Sequence, residues 1–310
     1  MKRHPVLSFL VVAYLFSWGL FAASQRMPGG GSTWVQAAVG VLYMWGPAVA
    51  VLVLRRRLGV SWAQMGLVAK GIRWKWMGLA ALMAVCVPVA TLFYNWVLGD
   101  LMGIAAFGHT EVSKAMALSV VEQQLASAGR SPAQVEGSLS TLAALPLNGF
   151  TILMVILVTG FVAGSTVNLI AALGEELGWR GLLLHLTRHR GLVPHVLFTG
   201  VAWGLWHAPL ILKGHNYPDH PVGGVFMMCA LTTAMALPLA WVRIRSGCVW
   251  AAALLHGTLN GVAGAGLLFH EGGSDLAGGP AGVGAVLALL TIGAALFLLD
   301  PHFRKEFATA

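Results

Sequence analysis

The sequence predicts an all-α, polytopic membrane protein with about eight transmembrane helices around a polar intramembrane cavity. Three observations carry this expectation. The 310 residues are 57% apolar and only 10% charged. Their mean hydropathy is +0.77. The apolar residues gather in runs of roughly 20, the length a helix needs to cross hydrocarbon. Disordered and collagen-like chains are excluded by the same composition.

Taken in order, the runs cover 6–23, 34–54, 76–98, 147–173, 192–212, 222–242, 248–268 and 281–299. The first follows Lys2 and Arg3 and ends in Ala22-Ala23-Ser24, a pattern shared with cleaved signal peptides. Its apolar core is long for such a peptide, and Trp18 near its far end suits an interfacial anchor. Between the second and third runs lies a basic linker in which Trp62, Trp74 and Trp76 can rest at headgroup level while Lys and Arg face anionic lipid. Segment 99–146 is the only sizeable extramembrane piece. There Ser131-Pro132-Ala133-Gln134 reads as a capped helix start, and Gly129 closes an earlier helix carrying Val112, Met116, Val120 and Val121. A helical hairpin on the outer membrane face, connecting two spans, is expected. The chain thus divides into 1–146, three spans with the outer segment, and 147–310, a five-span core of the same membrane domain.

Gly160 with Gly164, Gly200 with Gly204 and Gly257 with Gly261 are small-xxx-small pairs that permit close helix approach. Glycine-rich stretches at 29–31 and 272–284 read as loop and span-entry glycine. Cys86, Cys229 and Cys248 fall in or beside apolar runs without Cys-x-x-Cys spacing, so they read as packing residues.

Nineteen Lys and Arg against 11 Asp and Glu give a net charge of +8, which taken alone would permit nucleic-acid binding. With a cytosolic N-terminus, only Arg26, Lys114, Arg130 and Lys213 face outward, and the remaining 15 basic residues lie on the cytosolic side. The excess is therefore topological, and no nucleic-acid partner is expected. Both termini are placed in the cytosol, and the Ala, Gly, Trp and Arg usage points to a bacterial plasma membrane.

A few ionisable groups remain at membrane depth, where charge is expensive and must face water or a partner. Glu175 and Glu176 close the fourth run, and Arg180 follows Glu176 by one helical turn, which suits an internal ion pair. Glu175 points about 100° away and is free for another task. The bland alternative is two glutamates at a helix end exposed to cytosol. In the fifth run His207 follows Trp203 by four residues, and Pro209 loosens the helix. In the seventh, His256 and Asn260 share a face. Each could be glue between helices. Together, Glu175, His207, His256 and Asn260 could converge in one cavity. There a carboxylate and an imidazole could activate water, and His256 with Asn260 could donate to an oxyanion.

The order Glu-Glu-x-x-x-Arg, aromatic-x-x-x-His, His-x-x-x-Asn, here Glu175, Glu176 and Arg180, Trp203 and His207, His256 and Asn260, resembles the CAAX prenyl protease and bacteriocin-processing family of intramembrane glutamic endopeptidases. The similarity covers about 170–260, and an eight-span count is similar to that of the type II prenyl endopeptidases. Segment 59–67 is similar to a loop in bacterial members. The resemblance implies that Glu175 and His207 activate water, that His256 and Asn260 stabilise the oxyanion, and that Glu176, Arg180 and Trp203 support the site. Trp203 stands where many members have Phe, and as an aromatic it is expected to preserve cavity packing. No cofactor is implied. The partners implied are a peptide or protein substrate in or at the membrane and the bilayer itself.

Three rivals remain. Glu175, His207 and His256 could instead ligate zinc, although no His-Glu-x-x-His is present. His185 and His189 are also one turn apart, but beside Arg188 and Arg190 they read as a solvated face. A serine protease would need Ser165, which has no visible base motif. A non-proteolytic scaffold, bacteriocin-immunity or transport protein could use the same cavity for binding. The loop with His215, Asp219 and His220 receives no chemistry.

Overall fold

The computed structural model describes residues 3–27 and 32–309; Lys2 and the glycines at 29–31 lie outside them. The chain is all-α apart from a two-residue ribbon. Its helices are α1 (Pro5–Ser24), α2 (Thr33–Met44), α3 (Gly46–Leu58), α4 (Trp74–Asn95), α5 (Lys114–Ser127), α6 (Pro132–Ala144), α7 (Gly149–Gly164) and α8 (Val167–Glu176). There follow α9 (Leu184–Thr187), α10 (Leu192–Trp206), α11 (Ala208–Ile211), α12 (Pro221–Ser246), α13 (Val249–Val262), α14 (Gly264–Leu268), α15 (Val283–Leu299) and α16 (Pro301–Thr309).

It is a multi-pass membrane protein. Among the described residues, five helical segments, Pro5–Ser24, Trp34–Leu58, Trp74–Leu101, Pro221–Ser246 and Val249–Leu268, are long and apolar enough to cross a membrane, or up to seven if two bent pairs each count as one span. Eight were expected, and the difference lies in broken helices. The run 147–173 is two helices, because the Ser165 and Thr166 hydroxyls turn back onto the Phe161 and Val162 carbonyls at 2.8 and 2.7 Å. The run 192–212 holds only the 15 residues of α10 before the chain breaks at His207. At about 1.5 Å per residue α10 falls short of a hydrocarbon core about 30 Å thick.

The spans pack through glycine. A Cβ built on Gly160 would lie 2.6 Å from the Gly261 carbonyl oxygen, one on Gly164 would lie 2.3 Å from Thr258 Cα, and one on Gly257 would lie 3.0 Å from the Asn168 carbonyl. All these contacts lock α7 and α8 against α13. Gly200 and Gly204 play the same part toward Thr233 and Cys229 on α12. The expected small-xxx-small pairs are thus all at helix crossings, where the missing side chain lets backbones touch. α13 is the most buried of the five spans, with α4, α7, α8 and α12 around it. It is the helix best shielded from lipid, and it carries His256 and Asn260. The three cysteines are free.

Within segment 99–146, α5 and α6 form a helical hairpin. Ser131 accepts from the Gln134 backbone N–H while Gln134 reaches back to the Ser131 N–H, completing the capping box, and Gly129 turns with φ +73°. Lys114 closes the hairpin by donating to the Ala143 and Leu145 carbonyls, both at 2.6 Å. The sequence did not foreshadow strands β1 (His109–Thr110) and β2 (His270–Glu271), which pair antiparallel and tie this hairpin to the end of α14. Two residues are too few for an alternating pattern to be visible. Asp100, hydrogen bonded to His109, raises the imidazole above its ordinary value and adds an ionic clip to the ribbon.

Candidate active site

Glu175 and Glu176 end α8, and the chain then widens into a π-type turn over Leu177–Leu183 instead of continuing as an ordinary helix. Such turns are rare and collect at functional positions, because the extra residue re-aims the side chains around it. Here the two adjacent carboxylates face different partners. Glu176 Oε1 accepts from Arg180 Nη1 at 3.0 Å and lies 2.9 Å from His256 Nδ1. Glu175 Oε2 accepts from Trp203 Nε1 at 2.6 Å. Glu175, Glu176 and Arg180 are 1%, 0% and 0% exposed, which removes the reading of two glutamates at a solvated helix end. The expected ion pair of Glu176 with Arg180 is formed inside the protein.

Trp203 joins the two carboxylate systems. Its N–H holds Glu175, while the Arg180 guanidinium carbon lies 4.3 Å from its ring centroid in a cation–π contact. The His256 ring meets it edge-on with centroids 5.3 Å apart. A phenylalanine could make the ring contacts but not the hydrogen bond. The sequence suggested cavity packing for this position, and the indole N–H adds a hydrogen bond to it.

His207 sits in the break between α10 and α11. Its Nδ1 lies 2.9 Å from the Trp203 carbonyl oxygen, which can only accept, so Nδ1 carries the proton and Nε2 remains for the cavity. The break leaves carbonyls at the end of α10 without helical donors, and aromatic side chains from the first spans meet them. The Tyr43 hydroxyl and Trp18 Nε1 donate to the Trp206 carbonyl, the latter at 2.9 Å. The Tyr14 hydroxyl donates to the Ala202 carbonyl. Trp18 is therefore a brace for this break. Sequence reasoning missed Tyr14 and Tyr43. The available signal was a hydroxyl inside an apolar run, since a buried Tyr needs a hydrogen-bond partner.

Glu175, Trp203, His207, His256 and Asn260 all line one cavity of about 590 Å³. Asn260 lies one turn beyond His256, with its side chain exposed to that space. Glu176 and Arg180 stand behind the wall and touch it through His256 and Trp203. His215, from the loop to which the sequence gave no chemistry, also lines the cavity. Its neighbours there serve a different purpose: His220 Nδ1 lies 2.6 Å from Asp275 Oδ1, and the Asp219 N–H donates to Oδ2 at 2.9 Å. Burial works against the charge on Asp275, but these bonds outweigh it and hold the carboxyl below its ordinary value.

Among the described residues no group of three or more His, Cys, Asp or Glu side chains could hold a metal ion. Ser165 gives its hydroxyl to the Phe161 carbonyl and does not line the cavity. What the cavity offers chemically is a desolvated carboxylate, a free imidazole nitrogen and an amide around space for water and an extended chain.

Residues 149–262, from α7 through α13, match the family model described as "Type II CAAX prenyl endopeptidase Rce1-like". The match includes every one of the residues Glu175, Glu176, Arg180, Trp203, His207, His256 and Asn260. No curated protein matches the chain.

Proposed function

We propose, from the Rce1-like type II CAAX prenyl endopeptidase domain carried by residues 149–262, that this chain is an intramembrane endopeptidase acting on a membrane-associated or lipidated protein or peptide. The observation that carries the reading is the convergence of Glu175, His207, His256 and Asn260 on one cavity walled by membrane helices. The charge partition of 15 to 4 supports both termini in the cytosol and a cleavage site nearer that face.

In this reading Glu175 takes a proton from a water held between its carboxylate and His207 Nε2. The hydroxide oxygen bonds to the substrate carbonyl carbon, and the carbonyl oxygen becomes an oxyanion facing His256 and Asn260. The C–N bond then breaks as the proton passes, through Glu175 and His207, to the leaving amine. Water is consumed, and a carboxyl and an amine are released. The Nδ1 proton of His256 is held by Glu176, so a donor at Nε2 requires the doubly protonated ring, and Glu176 faces its charge. Arg180 keeps Glu176 and Trp203 in place, and Trp203 fixes the rotamer of Glu175.

The test is a comparison of membrane-protein peptide ends in vesicles loaded with the active chain and with Glu175→Ala. The reading expects new termini in or beside membrane segments that vanish in the variant. Identical sets of termini would refute it and favour a scaffold or transport role for the cavity.

A further inference from the structure

The carboxylates at the basic end of the bundle serve one arginine and leave another unmatched. Arg245, near the end of α12, lies 3.0 Å from Asp300 and 3.0 Å from Glu306. Arg243, two residues earlier and so on another face of the helix, has no carboxylate partner among the described residues. Its guanidinium lies over buried Gly66, where any Cβ would collide with it. It gives one N–H to the Gln64 carbonyl at 3.3 Å, and its buried Nε has no hydrogen-bond partner. The charged side chains grouped with it are of like sign. A Cβ on Gly181, about one helical turn before His185, would meet Met65 at 3.4 Å, so the His185–Arg188 turn lies beside the loop under Arg243. Burial, then the charges of Arg188 and Arg243, hold His185 below the ordinary imidazole value. All three side chains are half-buried. Gathering basic groups without an acid is unfavourable unless an anion sits among them, and guanidinium groups match phosphate oxygens well.

We propose that His185, Arg188 and Arg243 form a binding site for a phosphoryl anion, supplied by the headgroup of an anionic phospholipid. The lipid source follows from position. The site closes the end of a membrane span, and the linker beside it carries interfacial groups: Arg55 stacks 3.9 Å from the Trp62 ring centroid, and Trp74 is 72% exposed. The linker also gives the site a reach into the bundle. The Gly66 carbonyl accepts from the Val249 N–H at 2.8 Å, and Trp250 Nε1 donates to the Val68 carbonyl at 3.1 Å. An anion on Arg243 therefore steadies the loop that clamps the start of α13, two turns before His256. The proposal stands independently of the proteolytic reading.

The purified full-length chain in phosphatidylcholine nanodiscs is titrated with phosphatidylglycerol, and separately with inorganic phosphate, while lipid retention and thermal unfolding are followed. Wild type is expected to retain phosphatidylglycerol about tenfold more tightly than Arg188→Gln or Arg243→Gln, the loss expected for one charge-assisted contact. Arg56→Gln, at an exposed helix end, should behave as wild type. Stabilisation by inorganic phosphate alone, lost in Arg188→Gln, keeps the phosphoryl site but assigns it to a free anion. Equal binding of both probes by wild type and Arg188→Gln would overturn the proposal. Arg188 lies on a surface turn, so that variant decides the matter if Arg243→Gln fails to fold.

Discussion

Glu175→Gln is expected to lower peptide cleavage by about 10²–10⁴-fold, the span usual for loss of a general base, with no loss of stability. The amide has the volume of the carboxyl and can still accept from Trp203 Nε1, so the wall of the cavity is kept. What it cannot do is take a proton from water. Because Glu175 is only 1% exposed, replacing its charge by an amide also removes a desolvation cost, so the folded state should melt no lower than wild type. Cleavage rate and thermal unfolding measured on one preparation check both halves. A variant that loses activity and stability together would place Glu175 among the structural groups.

Arg180→Met is expected to show the reverse emphasis, a loss of about 3–5 kcal/mol in folding stability, as for breaking one side of a buried ion pair. The guanidinium is fully buried, bonds Glu176 at 3.0 Å and stacks on Trp203. Without it, the Glu176 carboxylate is left in the protein interior with only His256 beside it. Denaturant unfolding in detergent measures the loss. Adding Glu176→Gln to Arg180→Met should recover part of it, because the pair of charges is then removed together. No recovery would mean that the packing of Arg180 against Trp203, rather than its charge, holds this region.

Much of this was legible in the sequence because it is local or periodic. The spacing of Glu176 and Arg180 gives one helical turn, and that of His256 and Asn260 gives one face; both follow from helix geometry alone. The glycine pairs marked the crossings of α13 with α7 and α8 and of α12 with α10, because only a missing side chain permits such approach. The illegible part is tertiary. Tyr43 meets the Trp206 carbonyl and Trp203 meets Glu175 across 163 and 28 residues, and no local pattern encodes either contact. The break at Ser165 was hidden in a run that hydropathy reads as continuous, since a hydroxyl bonded back to its own helix costs little in composition, whereas Pro209 signalled the loosening at His207. The π-type turn after Glu176 is equally unmarked: Gly178 and Gly181 weaken the helix there, but no local pattern says that it widens.

The central claim is that Glu175 and His207 act on the same water in one cavity. Its most direct test is kcat/KM for Glu175→Gln, His207→Gln and the double variant, in the reconstituted protein with one cleavable membrane peptide. Residues that act as a unit are strongly non-additive, so the double variant should be no slower than the slower single one. Losses that multiply, or cleavage that survives in Glu175→Gln, would contradict the account.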